Sequence, residues 1–136
     1  GVIKRRTDLL ARYGGEELVA LLPNTSTENA LPIAQAVVQA VRAAGHVYAR
    51  TTRAAEAGID TAKTMAVAPS CHFLAPDFWQ RFERARPHGV FWFWGHSYEL
   101  VDEAMWAAFE ASLVRLCAEP GARWCDPTDL FDMDPR

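Results

Sequence analysis

The stretch RYGGEEL at positions 12–18 places two adjacent glycines and two adjacent carboxylates between two apolar runs. The run before the glycines ends at Tyr13, and the run after the carboxylates, Leu18–Leu22, is closed by Pro23. Two apolar runs joined through a glycine turn predict a β-hairpin. Because the second run is apolar throughout, we expect both of its faces to be covered.

A helix is predicted directly after the hairpin. Ser26 or Thr27 supplies an N-cap, Glu28 suits the positive end of the helix dipole, and Gly45 is expected to end the helix. Further short strands are predicted around 46–52, 65–68, 90–94 and 123–125, further helices over 76–86 and 102–117, and a helical turn near 130. Strands and amphipathic helices together predict an α/β fold, with α+β as the alternative.

Composition sets the broad class of protein. The chain has 136 residues, of which 50% are hydrophobic and 23% charged, so we expect a globular fold. A net charge of −3 gives no overall positive field, so we expect no nucleic-acid polymer as a partner. No apolar run approaches the ~20 residues of a membrane span, and no signal peptide is recognisable. The odd count of three cysteines indicates reduced thiols, so we expect a cytoplasmic protein.

Residues 5–43 resemble the diguanylate cyclase (GGDEF) family over their whole length. The turn has the family's GGEEF form, with Leu18 in place of the usual Phe, and the Leu-Pro-Asn exit and the Ala-rich helix also match. The resemblance implies a domain that condenses two GTP molecules into cyclic di-GMP, with Mg²⁺, across a homodimer.

The resemblance also implies roles for the turn residues. Gly14 and Gly15 would bind the substrate, because glycines let backbone amides approach a phosphate closely. Glu16 and Glu17 would bind the metal, since carboxylate oxygens suit Mg²⁺, and Glu17 would also be catalytic. For these four residues taken alone, a solvated hairpin turn is the alternative interpretation.

A second motif of the same family precedes the turn. Arg5 and Asp8 form an RxxD motif that ends five residues ahead of Gly14. The resemblance makes this the product-inhibition site. Arg5 would pair with a guanine or phosphate, and Asp8 would accept a hydrogen bond from the guanine edge.

Catalysis by this chain alone is not expected. The family's first metal carboxylate and its guanine-binding residues come from the part of the domain that precedes this segment, and the chain begins at Gly1. We therefore interpret the segment as a fragment. Since Mg²⁺ demands a nearly octahedral shell of ligands, one end of the site is not expected to hold Mg²⁺-GTP.

Residues 46–132 resemble the end of a polysaccharide deacetylase (NodB-type) domain. The motifs that carry the resemblance are YARTT at 48–52, PSCH at 69–72 and FWGHSYE at 93–99. The resemblance implies metal-dependent N-deacetylation of an acetylated carbohydrate, with Zn²⁺ or another divalent metal, on a distorted (β/α) barrel. The family's metal-binding Asp and His-x-x-x-His pair are absent, so its metal ligands are not expected here.

His96 falls where the deacetylase family carries its general-acid histidine. An imidazole there can protonate a leaving amine near neutral pH. His72 would line the same cleft, although Phe73 stands where the family often has a second histidine. The alternative is a histidine hydrogen-bonded beneath Trp94 and Tyr98, with the tryptophans packed in the core.

The simplest interpretation is a junction between two incomplete domains, over residues 1–45 and 46–136. Three functional classes follow: a cyclase-related nucleotide-binding element, a deacetylase remnant centred on His96, or a chimeric or truncated domain without activity. Whether the chain is an enzyme is left open by its sequence. Exposed sheet edges favour self-association.

Overall fold

A computed structural model describes residues 3, 5–12, 14 and 17–131. The chain divides into two compact units, Gly1–His46 and Val47–Arg136. Helices are combined with two small two-stranded sheets, in agreement with the α/β or α+β class. Within the described ranges, no helix is long and apolar enough to cross a membrane.

The predicted hairpin is present in the first unit. Strands β1 (Leu9–Arg12) and β2 (Leu18–Leu21) are antiparallel, with Leu9 opposite Leu21 and Arg12 opposite Leu18. The glycine-containing connection thus reverses the chain where the sequence predicts it.

Helix α1 (Thr27–Ala43) follows the hairpin. The hydroxyl of Ser26 accepts a hydrogen bond from the backbone N–H of Asn29 at 3.3 Å and forms the N-cap. Gly45 has a φ of +91°, which is the left-handed conformation that favours glycine after a helix end. Both predicted ends of the helix are therefore confirmed.

The first unit has little buried apolar surface, and the expectation that both faces of the second strand are covered is wrong. Val19 is 48% exposed and Leu21 57% exposed, and α1 buries none of its residues. An apolar run makes burial of both faces of a strand favourable. Burial also requires other elements that pack on both faces, and the sequence of the strand does not provide them.

The core of the second unit surrounds a short parallel sheet. Strands β3 (Cys71–His72) and β4 (Phe93–Trp94) pair with Cys71 beside Phe93 and His72 beside Trp94. Cys71 packs with Phe78, Phe82 and Leu116 in the core cluster. Burial raises the pKa of the Cys71 thiol to about 11, so this thiol is protonated at neutral pH.

Two helices contribute residues to this core. Asp77 is the N-cap residue of helix α2 (Phe78–Ala85), and its carboxylate accepts a hydrogen bond from Arg81 at 2.8 Å. Asp102 is the N-cap residue of helix α3 (Glu103–Cys117), and its carboxylate accepts a hydrogen bond from the N–H of Met105 at 2.8 Å. Short 3₁₀ turns lie at Thr64–Ala66, Arg86–His88, Ser97–Glu99 and Pro127–Leu130.

The predicted strands of this unit are largely wrong, whereas its helices are confirmed. Residues 46–52 contribute one isolated bridge, between Arg50 and Val67, and the run 90–94 is a strand only at Phe93–Trp94. Residues 123–125 form no strand. The implied barrel is not formed by the described residues, whose sheets have two strands each.

Ser70 extends the β3–β4 pairing, and its substitution should be costly. Its N–H donates to Trp92 O at 2.7 Å, and its hydroxyl accepts from Trp92 N–H at 3.0 Å, with the residue only 2% exposed. We expect Ser70→Ala to lower the free energy of unfolding by about 1–3 kcal/mol, because the Trp92 N–H loses its partner.

Denaturant unfolding followed by tryptophan fluorescence measures this effect, since all five tryptophans lie in the second unit. Ser112→Ala is the control, because the Ser112 hydroxyl only donates to a carbonyl within α3 and Ala favours a helix. Equal stability of the two variants would contradict the role given to Ser70.

Candidate functional site

The RxxD motif of the first unit forms a closed ion pair. Arg5 approaches Asp8 at two points, with Nη2 2.9 Å from Oδ1 and Nε 3.2 Å from Oδ2. The Asp8 side chain is only 2% exposed, whereas that of Arg5 is 48% exposed. Arg5 also donates to the Thr25 hydroxyl. Arg5 therefore offers a cationic surface to a ligand, and Asp8 holds the guanidinium in place.

The glycine turn is described in part. The N–H of Gly14 donates to the carbonyl of Glu17 at 3.3 Å. A Cβ on Gly14 would collide with the Glu17 carboxylate, so any side chain at this position would have to displace that carboxylate. Gly15 and Glu16, predicted to bind substrate and metal, lie outside the described residues.

The position of Glu17 bears on the predicted phosphate and magnesium sites. Its carboxylate lies beside Gly14, and a phosphate bound at the same place would be repelled by it unless a cation lay between the two anions. A carboxylate oxygen suits Mg²⁺ chemically. A single described carboxylate does not define a magnesium shell, so the substrate and metal roles of this turn stay predictions.

In the second unit, two histidines meet at one carboxylate. Glu99 Oε2 lies 3.0 Å from His72 Nε2, 3.2 Å from His96 Nδ1 and 2.6 Å from the backbone N of His96. These three residues, called here the His–Glu–His cluster, are each partly buried. The structure therefore brings together both histidines singled out in the sequence.

The backbone positions the cluster. Pairing of β3 with β4 sets His72 beside Trp94, and His96 follows two residues later as the N-cap of the 3₁₀ turn Ser97–Glu99. The Trp94 ring contacts both imidazoles edge-on, at centroid distances of 4.6 Å and 5.7 Å. Tyr98 stacks on His96 at 4.9 Å, so the expected contacts of Trp94 and Tyr98 with His96 are present.

A cavity of about 310 Å³ opens beside the cluster. Most of its lining is aromatic, and His96 supplies an imidazole to its wall. The lining residues are Phe73, Phe93, Trp94, Gly95, His96, Ser97, Leu100, Trp106 and Phe109. Trp106 is 49% exposed, so one ring of this wall remains accessible from solvent.

The electrostatics of the cluster keep Glu99 ionised. Burial works against the charged form, but hydrogen bonds from the His96 backbone and from His72 outweigh it, and the pKa of Glu99 is lowered. An anionic carboxylate between two imidazoles can accept protons from them or share a cation with them.

Glu99 is the site residue that the sequence reasoning missed. His96 and Glu99 form a capping box in the structure, but the sequence signature of such a box has Ser, Thr, Asp or Asn at the first position, so His96 did not indicate it. The contact between Glu99 and His72 joins residues 27 positions apart, so no local sequence pattern could predict it.

Comparison with protein-family models matches residues 2–67 to the family described as diguanylate cyclase, GGDEF domain. The matched segment contains the hairpin, Arg5, Asp8 and α1, continues beyond the first unit to Val67, and is just under half of the chain. It supports the GGDEF resemblance of the N-terminal segment. No curated protein and no solved structure matches significantly, and no comparison supports the deacetylase resemblance.

Gly95 lies in the cavity wall directly before His96, and we expect this position not to tolerate a side chain. A Cβ at this position would overlap the Phe73 ring, which packs against His72 and Phe109. We expect Gly95→Ala to lower the free energy of unfolding by about 1–3 kcal/mol, because the ring must leave its packed position. Tryptophan-detected denaturant unfolding measures the loss.

A double-variant cycle provides the control. Phe73→Leu replaces the obstructing ring with a smaller side chain, so Gly95→Ala should cost less in the Phe73→Leu background than in the native one. Equal costs in both backgrounds would contradict a steric clash at Phe73.

Proposed function

We propose that the N-terminal segment is a guanine-nucleotide-binding element related to diguanylate cyclases, with cyclic di-GMP as the ligand of the Arg5–Asp8 turn. The family match over residues 2–67 is the observation that carries the proposal. Diguanylate cyclases generally use GTP as substrate and Mg²⁺ as metal, so the same match suggests these two ligands for this segment.

The geometry at Arg5 supports this choice of ligand. Its guanidinium is held at two points by a nearly buried carboxylate and keeps about half of its own surface exposed. A guanidinium fixed in this way can donate to a phosphate oxygen or a guanine acceptor with little further loss of side-chain freedom. Asp8, being buried behind Arg5, acts by orienting it; direct contact with guanine would require the pair to open.

Binding, and not turnover, is the activity proposed for this unit. The Glu17 carboxylate beside Gly14 opposes a phosphate there in the absence of a cation. The phosphate-binding role predicted for the glycines and the metal-binding role predicted for Glu17 therefore depend on each other. Mg²⁺, when bound, would neutralise the charge between phosphate and carboxylate.

Calorimetric titration of the full chain with cyclic di-GMP tests the proposal. We expect Arg5→Ala to weaken binding by about tenfold to a hundredfold, because a hydrogen bond to a charged group is lost. Glu17→Ala should leave cyclic di-GMP binding unchanged and weaken only the binding of Mg²⁺-GTP.

Arg42→Ala is the matched control, because it removes the same charge from the last turn of α1 in the same unit. Equal weakening by Arg5→Ala and Arg42→Ala would mean that only the general positive charge matters. The absence of any cyclic di-GMP binding would reject the proposed ligand.

A second candidate function concerns the Val47–Arg136 unit. We infer a remnant of metal-dependent carbohydrate deacetylation centred on His96, for which the juxtaposition of the His–Glu–His cluster with an aromatic-lined cavity is the supporting observation. Aromatic walls suit the apolar face of a sugar ring, and His96 with Glu99 supplies groups that can handle protons or a metal.

Release of acetate from acetylated chitin oligomers, with and without added divalent metal, measures this activity. We expect a low rate that His96→Ala abolishes and that His46→Ala, which removes an exposed imidazole of the other unit, leaves unchanged. No release by the native chain, or equal release by both variants, would reject this candidate. A chain that fails both the nucleotide and the acetate assays has the third predicted character, a domain without activity of its own.

A further inference from the structure

We propose that His72, His96 and Glu99 form a binding site for a divalent transition metal of the zinc class. One ligand atom of each residue lies within 4.8 Å of the other two. Two imidazole nitrogens and a carboxylate oxygen are a common three-residue ligand set for zinc. This set differs from the Asp and His-x-x-x-His ligands of the deacetylase family, so the site does not rest on that resemblance.

The distances within the cluster are close to those that a metal requires. Zinc lies roughly 2.1 Å from nitrogen and oxygen ligands, so two ligands of a tetrahedral ion lie roughly 3.4 Å apart. The observed separations from Glu99 Oε2 are 3.0 Å to His72 Nε2 and 3.2 Å to His96 Nδ1. These two separations differ by less than about 0.5 Å from that value, and the two imidazole nitrogens lie within 4.8 Å of each other, so small side-chain movements can bring the three atoms around one ion.

The cluster leaves room for a further ligand. The three side chains keep between 24% and 35% of their surface exposed. Zinc sites with three protein ligands hold water or a substrate at the fourth position. The cavity wall that includes His96 gives such a ligand an approach to the metal.

Surrounding groups support the ligands. The His96 backbone N–H donates to Glu99 Oε2 at 2.6 Å and would continue to orient the carboxylate of a bound site. The edge-on contacts of Trp94 restrict both imidazole rings. Ligands that are already oriented lose little freedom when the metal binds.

Metal bonds would replace the two hydrogen bonds between the histidines and Glu99, and one further hydrogen bond must break. The N–H of Leu74 donates to His72 Nδ1 at 3.2 Å, which leaves the imidazole proton on Nε2, facing Glu99. Coordination through Nε2 moves this proton to Nδ1 and frees the Leu74 N–H. Leu74 is 44% exposed, so water can accept that N–H, and one exposed hydrogen bond is a small term against three metal bonds.

Metal binding also changes the role of His96. A coordinated Nδ1 has no proton to give, so in the metal-bound protein this atom acts as a ligand and not as the general acid expected from the sequence. Zinc binding and acetate release are separate readouts. A chain that binds zinc without releasing acetate retains the metal site and loses only the second candidate function.

Titration of the full chain with Zn²⁺ alone, by calorimetry, tests the site. Exposed Cys117 and Cys125 can also bind zinc, so every variant carries Cys117→Ser and Cys125→Ser. We expect a single ion to bind this background protein. His72→Gln, His96→Asn and Glu99→Gln should each weaken binding by more than about tenfold, since even an outer-shell change costs about 10–100-fold.

These substitutions separate a metal site from a hydrogen-bonded cluster. His72→Gln and His96→Asn each leave an amide nitrogen that can still donate a hydrogen bond to Glu99 Oε2 but binds zinc poorly. Tryptophan-detected unfolding without metal checks that each variant keeps its fold, and His46→Ala controls for the loss of an imidazole elsewhere. Protection of the Leu74 amide from hydrogen exchange should fall when zinc binds.

Failure to bind a zinc ion in the background that lacks both exposed cysteines overturns the proposal. So does binding that His72→Gln, His96→Asn and Glu99→Gln leave as tight as in the His46→Ala control. In either case the cluster is a set of hydrogen bonds that stabilises the end of the sheet.

Discussion

The parallel pairing of residues 71–72 with residues 93–94 is the constraint on which the second unit depends. It sets His72 beside Trp94 and so brings His72 to the 3₁₀ turn that follows His96. Ser70 lengthens the pairing through its backbone and its hydroxyl. The core packs around the same strands, so the chemistry of the cluster and the stability of the unit share one structural origin.

The first unit is organised differently. Its hairpin and α1 are specified by local signals, namely the glycine turn, the Ser26 cap and Gly45. Its apolar side chains remain largely exposed, as Leu9 and Leu21 illustrate at 58% and 57%. Since hydrophobic burial is the main favourable term in folding, this unit has few stabilising contacts within the described residues.

Local signals in the sequence predicted the helices, whereas contacts between distant residues could not be predicted. The caps at Ser26 and Asp102 lie within three residues of the N–H groups that they satisfy, so both helices could be placed from the chain alone. The run 90–94 has the composition of a strand, yet its pairing is confined to residues 92–94, because the partner segment around β3 is short. The contact between His72 and Glu99 requires that sheet to form first, so no spacing in the sequence could reveal it.

The two candidate sites also differ in the metals that they suit. The predicted ligands at the glycine turn are carboxylate oxygens, which favour a hard ion such as Mg²⁺. The cluster offers two imidazole nitrogens with one carboxylate, and nitrogen ligands favour zinc and its neighbours among the transition metals. Because imidazole nitrogens are poor ligands for a hard ion, we expect Mg²⁺ to bind the cluster weakly and zinc to be preferred there.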